Sequence, residues 1–182
     1  MCSNIKKGIK MKNNIVLIGM PGAGKSTVGV LLAKAMNYSF VDTDLTIQQE
    51  NGKKLYEIIA DKGIDEFLNI ENDVLSRVEA NKSVIATGGS AVYGEEAMKH
   101  LSDIGHIVYI KLSCQEIVRR VSNIKTRGIA MKKGKTIFDI YAERVPLYEK
   151  YADIIVDGEN TTIEECVERV VDAVSFLENK RL

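Results

Sequence analysis

The amino-acid sequence predicts an α/β fold in which helices cover a parallel β-sheet. Five short apolar runs recur along the chain, longer amphipathic stretches separate them, and no repeat or Pro-rich linker divides the 182 residues. Continuous apolar runs are typical of strands buried on both faces of a parallel sheet. Regular alternation of strands and helices is typical of a sandwich with right-handed crossovers.

Each element follows from its own pattern. The predicted strands cover residues 15–18, 40–41, 84–86, 107–110 and 154–156. Three intervening segments repeat apolar residues at the 3,4 spacing of one helical face, and these are residues 28–35, 67–78 and 163–177. For the last helix, either Thr161 or Thr162 can be the N-cap, with Glu164 and Glu165 in the first turn.

Length and composition predict one globular domain over residues 14–178, preceded by a flexible tail over 1–13. The 25 Lys and Arg residues balance 25 Asp and Glu residues, so the overall field does not favour nucleic acid or an anionic membrane. An apolar content of 45% excludes an intrinsically disordered chain.

The three cysteines predict ordinary free thiols in a reducing compartment. Cys2, Cys114 and Cys166 are far apart and form no CxxC pair, which argues against a disulfide scaffold or a structural zinc site. The chain has no stretch of 18 apolar residues and no signal-peptide core near its first residue. We therefore expect a cytoplasmic protein, and we expect it to be a monomer.

A glycine-rich motif follows the first predicted strand. Residues 19–27 read GMPGAGKST and fit GxxxxGK[ST], with a helical pattern directly after them. The glycines let backbone N–H groups approach phosphates, Lys25 can reach the β and γ phosphates, and the Ser26 hydroxyl can ligate Mg²⁺. The alternative is a turn that only caps a helix, but the strand before and the helix after favour nucleotide binding. The residues of this loop predicted to bind nucleotide are Gly22, Ala23, Gly24, Lys25, Ser26 and Thr27.

Two carboxylates follow the second strand, at Asp42 and Asp44. In an extended chain residues i and i+2 share a face, so both can point toward the phosphate loop. One can hold a metal-bound water while the other accepts a proton from a hydroxyl nucleophile. The alternative is that Asp44 only caps the next helix.

The segment from Ile117 to Phe138 contains seven basic residues and no acidic one. Gly128 and Gly134 would interrupt any helix that begins near Glu116. A solvated loop is one interpretation. Beside a phosphate loop, the segment is more simply a mobile lid over residues 121–136 that brings positive charge to the transferring phosphate.

Together these motifs resemble the shikimate kinases, small P-loop kinases of the nucleoside monophosphate kinase class. The phosphate loop, the Asp pair, Thr87-Gly88-Gly89, the basic segment and Arg144-Val145-Pro146-Leu147-Tyr148 occur in the family's order. The resemblance implies a three-layer P-loop sandwich with sheet order 2-3-1-4-5. It also implies an acceptor-binding helical region near residues 43–70.

The resemblance further implies an enzyme that uses ATP and Mg²⁺ to phosphorylate shikimate to shikimate 3-phosphate. Lys25, Asp44 and Arg127 would be catalytic, with Asp44 as the base and Arg127 entering from the lid. Ser26 would bind the metal directly and Asp42 through water, and Arg120 would stack on adenine. Gly88, Gly89, Arg144 and Asp44 would bind the acceptor, with Arg144 on its carboxylate.

The chain departs from the family pattern at three positions. Leu68 replaces the arginine of a Phe-Arg-x-x-Glu run, Ser90 replaces a third glycine, and Gly128 replaces a proline after Arg127. Loss of one charge from a buried pair costs about 2–5 kcal/mol, unless another base such as Lys62 takes its place. Two alternatives therefore stay open: a kinase of another hydroxylated metabolite, and a nucleotide- or metabolite-sensing module without turnover.

Overall fold

The computed structural model describes residues 12–121 and 128–180. Its strands are β1 (Asn14–Ile18), β2 (Ser39–Asp42), β3 (Ser83–Ala86), β4 (Gly105–Lys111) and β5 (Ile154–Asp157). All neighbouring strands run parallel, and they form one sheet in the order β2-β3-β1-β4-β5. The predicted fold class, the strand positions and the sheet order are confirmed.

Eight α-helices and one short 3₁₀-helix (Ala91–Tyr93) occur within the described residues. The α-helices are α1 (Lys25–Met36), α2 (Thr43–Asn51), α3 (Leu55–Lys62), α4 (Ile64–Ser76), α5 (Glu95–Ile104), α6 (Cys114–Arg120), α7 (Ile137–Tyr151) and α8 (Ile163–Asn179). The three predicted helical faces correspond to α1, α4 and α8. The second predicted helix, over residues 67–78, extends too far, because α4 ends at Ser76 and Val78 is buried beyond its C-cap.

Strand β1 lies at the centre of the sheet, between β3 and β4. All five of its residues are buried. Successive side chains of a strand point to opposite faces, so this burial means that helices cover both faces of the sheet. The result is the predicted three-layer sandwich.

Helix α8 begins with a capping box at Thr162, which decides between the two predicted caps. The backbone N–H of Glu165 donates to Thr162 Oγ1 at 3.1 Å, and the Thr162 N–H donates to the Glu165 carboxylate at 2.7 Å.

Among the described helices, none combines the length and the apolar character that a membrane crossing requires.

Several predicted segments lie partly or wholly outside the described residues. Most of the predicted tail, residues 1–11, is outside, and so are residues 122–127 of the predicted lid, including Arg127. The predicted acceptor-binding region at 43–70 corresponds to α2, α3 and the first half of α4.

Candidate functional site

A cavity of about 550 Å³ lies at the carboxyl ends of the strands, where parallel α/β sheets bind their ligands. It brings together most of the predicted site residues. Those that line it are Gly22, Gly24, Lys25, Ser26, Thr27, Asp44, Gly88, Gly89, Arg120 and Arg144. Ala23 lines an adjoining cavity of about 320 Å³, to which Arg120 also contributes.

The phosphate loop connects β1 to α1 and holds Lys25 at the start of the helix. The Lys25 ammonium donates to the carbonyl oxygens of Gly19, at 2.7 Å, and Met20, at 3.0 Å. Burial lowers the pKa of Lys25 to about 8, against the opposing effect of the Asp44 carboxylate. Gly24, the N-cap of α1, gives no side-chain hydrogen bond. The free N–H groups of the first turn and the Lys25 cation together form an anion site.

Gly22 is the position in this loop where a glycine is required on two grounds. Its φ of 85° lies in the left-handed region that L-residues with side chains rarely adopt. A Cβ at this position would also lie 2.6 Å from Cγ2 of Val121, at the end of α6. The loop therefore keeps its shape only with glycine here.

Asp42 joins the phosphate loop to α2. Its Oδ2 accepts a hydrogen bond of 2.8 Å from the Ser26 hydroxyl, and its Oδ1 accepts from the backbone of Asp44 at 3.0 Å. The prediction that Asp42 and Asp44 share a strand face is wrong, because α2 already begins at Thr43. The alternative role for Asp44 as the cap is wrong too, since the cap is Asp42.

The Ser26 and Asp42 pair fits a magnesium site. A hydroxyl and a carboxylate oxygen are the hard ligands that Mg²⁺ prefers, and Mg²⁺ commonly keeps several waters while bound by few protein groups. The two oxygens lie 2.8 Å apart, beside the phosphate loop.

Asp44 lies in the first turn of α2 and faces the turn after β3. Burial and the nearby Asp42 charge raise the pKa of Asp44 to about 6, whereas Lys25 lowers it. A Cβ on Gly88 would collide with Asp44 Oδ1 and with Glu71 Oε1. Only a glycine lets the backbone approach these two carboxyl groups so closely.

Arg144 closes the far end of the cavity and is 1% exposed. Its Nε donates to the Tyr93 hydroxyl at 3.3 Å, and its Nη2 donates to the carbonyl oxygen of Ala130. Its Nη1 has no hydrogen-bond partner within the described part of the chain. A buried guanidinium donor without a partner is costly, so this atom is available to an anionic ligand.

Glu71 is the site residue that the sequence reasoning missed, since it entered there only as part of a motif. It is 2% exposed on α4 and lines the cavity, and its Oε1 finds no partner among the described residues. Burial raises the pKa of Glu71 to about 7. The available signal was an acidic residue on the apolar face of a helix, four positions after Phe67.

Comparison with known proteins decides the family. The family model described as shikimate kinase matches residues 21–175. The chain belongs to the shikimate kinase family. A shikimate kinase of Thermodesulfovibrio yellowstonii is 36% identical over 169 residues, which cover 91% of this chain and 97% of that protein. Shikimate kinase 2 of Yersinia pseudotuberculosis is 36% identical over 156 residues, or 83% of this chain and 90% of the relative.

Solved structures agree with this membership. The shikimate kinase from Acinetobacter baumannii in complex with shikimate has a TM-score of 0.82 at 27% identity, covering 96% of this chain and 98% of that one. The shikimate kinase from Aquifex aeolicus has a TM-score of 0.75 at 33% identity, with coverages of 89% and 96%. As a shikimate kinase family member, the chain is a kinase that transfers phosphate to a hydroxyl.

In this shikimate kinase family member, Leu68 turns away from the main cavity. It lines a neighbouring cavity of about 280 Å³, and Glu71 and Ser90 line both cavities. Lys62, a possible substitute for the missing arginine, is exposed at the end of α3 and does not line the main cavity. Neither Leu68 of α4 nor Lys62 of α3 therefore supplies a cation to the acceptor end.

The other two departures have visible structural consequences. Ser90 is 5% exposed, and its side chain forms a hydrogen bond that lowers the pKa of Glu71 against the effect of burial. Gly128 has a φ of 62°, which a proline cannot adopt. A Cβ at Gly128 would lie 2.7 Å from the Cβ of Leu55, so the segment after residue 127 packs directly on α3.

Proposed function

We propose that this protein transfers the γ-phosphoryl group of ATP to a hydroxyl of shikimate, giving shikimate 3-phosphate. The observation that carries the proposal is one continuous cavity, lined at one end by the phosphate loop and at the other by Asp44, Gly88, Gly89 and Arg144. Family membership supplies the acceptor, because the related structure from A. baumannii is a complex with shikimate.

The donor half of the site suits ATP. Lys25 and the N–H groups at the start of α1 would hold the β and γ phosphates. Arg120 lines both the main cavity and the adjoining one, where it would stack on adenine. The predicted catalytic role of Arg127 remains part of this proposal, although the residue lies outside the described ranges.

Ser26 and Asp42 would hold Mg²⁺, Ser26 directly and Asp42 through water. When bound, the ion would supply positive charge to the phosphate oxygens of the nucleotide. The 2.8 Å contact between the two side chains supports this assignment.

The acceptor half suits a small hydroxylated acid. Asp44 would accept the proton of the attacking hydroxyl, and its position beside Gly88 supports this role. The free Nη1 of Arg144 would bind the acceptor's carboxylate, and the backbone N–H groups of Gly88 and Gly89 would face its ring. A monomeric state and a cytoplasmic location, where ATP is used, complete the proposal.

A second candidate is a kinase of another hydroxylated metabolite. The observation that favours it is Leu68, since one arginine fewer at the acceptor end weakens the binding of a carboxylate. It keeps the same donor site and the same base.

The deciding experiment is an ADP-coupled assay across shikimate, sugar acids, sugars and polyols. We expect turnover at low shikimate concentration, and we expect the variants Lys25→Met and Asp44→Asn to lose it while remaining folded. Turnover only with a different acceptor would replace shikimate by that compound. Tight ligand binding without ADP from any acceptor would instead identify a sensing module.

A further inference from the structure

The acceptor end of the cavity holds two acidic groups on neighbouring elements. Asp44 comes from α2 and Glu71 from α4, and both carboxyl groups approach the same side of Gly88. Like charges this close in a buried site disfavour joint ionisation. Cations must therefore balance them, or one carboxyl must hold a proton.

The cations that act on Glu71 are Arg144, from α7, and Lys25, from α1. Lys25 bonds to the phosphate loop and is the residue that would meet the phosphates of ATP. Within residues 12–121 and 128–180, Arg144 is then the cation left for the two acids at this end. With both acids ionised and Lys25 engaged by the nucleotide, negative charge already exceeds positive charge before any acceptor enters.

Leu68 is the reason for this imbalance. It lies three residues before Glu71 on the same helix, and residues at this spacing are neighbours on a helix surface. A cation there could neutralise Glu71, but the leucine packs against the core and lines the second cavity. The other charged groups lining that cavity are Glu95 and Glu96, which are acidic as well.

Ser90 gives Glu71 a neutral partner. Its hydroxyl is buried, and its hydrogen bond to Glu71 places a group without charge beside the carboxyl. Oε1 of the Glu71 carboxyl group has no hydrogen-bond partner among the described residues. A hydroxyl can donate to a carboxylate or accept from a carboxylic acid, so Ser90 suits either protonation state.

We propose that Glu71 holds a proton whenever an acceptor carboxylate is bound, so that one proton enters the site together with the acceptor. The inference rests on the proposed function, because it requires an acidic acceptor at Arg144. The protonated Glu71 adds no charge and becomes a donor in a site that would otherwise place three carboxylates around one guanidinium. The proton comes from solvent and returns to it when the product leaves.

The linkage has a defined direction. Burial raises the pKa of Glu71 to about 7 in the free protein, so below that pH the proton is already present and Glu71 adds no pH dependence to acceptor binding. Above it, each binding event must first take up a proton. The dissociation constant then rises about tenfold for each pH unit. Asp44 does not produce this effect, since its pKa of about 6 leaves it ionised throughout that range. Lys25, with a pKa of about 8, titrates within the range but does so in Glu71→Gln as well, so the difference between the two proteins isolates Glu71.

The test is titration calorimetry of shikimate binding to the full chain at pH 8, in Hepes and in Tris, which differ in ionisation enthalpy. We expect uptake of close to one proton per shikimate bound. The dissociation constant should rise about tenfold from pH 7.5 to pH 8.5. Glu71→Gln should lose most of both effects, keeping only what Lys25 contributes, and Leu68→Arg should reduce both by restoring a cation.

The outcomes separate the two proposals. Shikimate turnover without proton uptake by the wild-type protein, or with unchanged uptake in Glu71→Gln, would overturn this inference and leave the proposed function standing. Absence of shikimate turnover and binding at every pH would overturn both. If Glu71→Gln fails to fold, the proton number of the wild-type protein and its change in Leu68→Arg decide the matter.

Discussion

The Tyr148 hydroxyl donates a hydrogen bond of 2.6 Å to the carbonyl oxygen of Gly89. Tyr148 is fully buried on α7 and stacks on Tyr109 of β4 with 5.0 Å between ring centroids. Arg144 lies four residues earlier on the same helix, and residues at this spacing share a face. Helix α7 therefore fixes both the glycine turn and the guanidinium of the acceptor end.

We predict that Tyr148→Phe weakens acceptor binding. The change removes one hydroxyl and leaves the carbonyl of Gly89 without this partner, at a cost of about 1–3 kcal/mol in the free energy of unfolding. Because the freed turn carries Gly88 and Gly89, KM for shikimate should rise about tenfold while KM for ATP changes little. Steady-state kinetics and urea denaturation measure the two effects.

Tyr141→Phe is the matched control for this prediction. Tyr141 lies on the same helix, and its hydroxyl donates a 2.9 Å bond to the carbonyl of Leu112, away from the main cavity. The Tyr141→Phe variant should have a lower free energy of unfolding and an unchanged KM for shikimate. Equal rises in KM for both variants would mean that α7 acts only through overall stability.

Much of the fold could be predicted because its signals are local. The run at residues 15–18 is apolar throughout, and a central strand of a parallel sheet needs apolar side chains on both faces. The phosphate loop was predictable for a related reason, since its glycines and Lys25 meet a backbone requirement within nine residues. Such patterns can be recognised without knowledge of distant contacts.

The acceptor end was harder to predict because its contacts are distant in sequence. Glu71 meets Ser90 and Asp44, and Arg144 meets Tyr93 and the carbonyl of Ala130. The prediction for the Asp pair was wrong because it assumed an extended chain, whereas Asp42 already caps a helix. Local patterns do not show where a strand gives way to a helix when the capping residue is also a candidate ligand.

We predict that Asp42→Asn raises the Mg²⁺ concentration needed for half-maximal activity. Asparagine is as good an N-cap as aspartate, so α2 should keep its start and the free energy of unfolding should change little. The lost charge, by contrast, weakens attraction for a hard divalent cation. An increase of about tenfold in the half-maximal Mg²⁺ concentration corresponds to about 1.4 kcal/mol. An unchanged Mg²⁺ titration would remove Asp42 from the metal site.

We predict that Gly128→Ala lowers kcat/KM by about tenfold or more. Gly128 has a φ of 62°, and a Cβ there would come within 2.9 Å of the Tyr56 backbone nitrogen as well as close to Leu55. The methyl group must push the segment away from α3, at a cost of about 1–2 kcal/mol from backbone strain alone. Steady-state kinetics at subsaturating shikimate measure the effect.

Gly134→Ala separates strain from contact. Gly134 has a φ of 89°, but a Cβ there would meet nothing within 4 Å. This variant carries a comparable backbone strain without the collision. Its kcat/KM should stay close to that of the wild-type protein, and equal losses in the two variants would show that packing of residue 128 on α3 is not needed for catalysis.

We predict that Glu71→Gln changes the pH dependence of stability. Burial raises the pKa of Glu71 from its ordinary value of 4.5 to about 7, so the folded state binds this proton more tightly than the unfolded state does. Stability is therefore lost as pH rises from about 4.5 to 7, by an amount on the order of 3 kcal/mol, and stays level above that range. Glutamine cannot ionise and avoids this loss.

Urea denaturation of both proteins from pH 4.5 to 8.5 should show the Glu71→Gln variant gaining stability relative to the wild type between pH 4.5 and 7. Asp44 and Lys25 titrate in both proteins and largely cancel in the difference, so parallel stability curves would mean that Glu71 is already ionised in the folded protein at low pH.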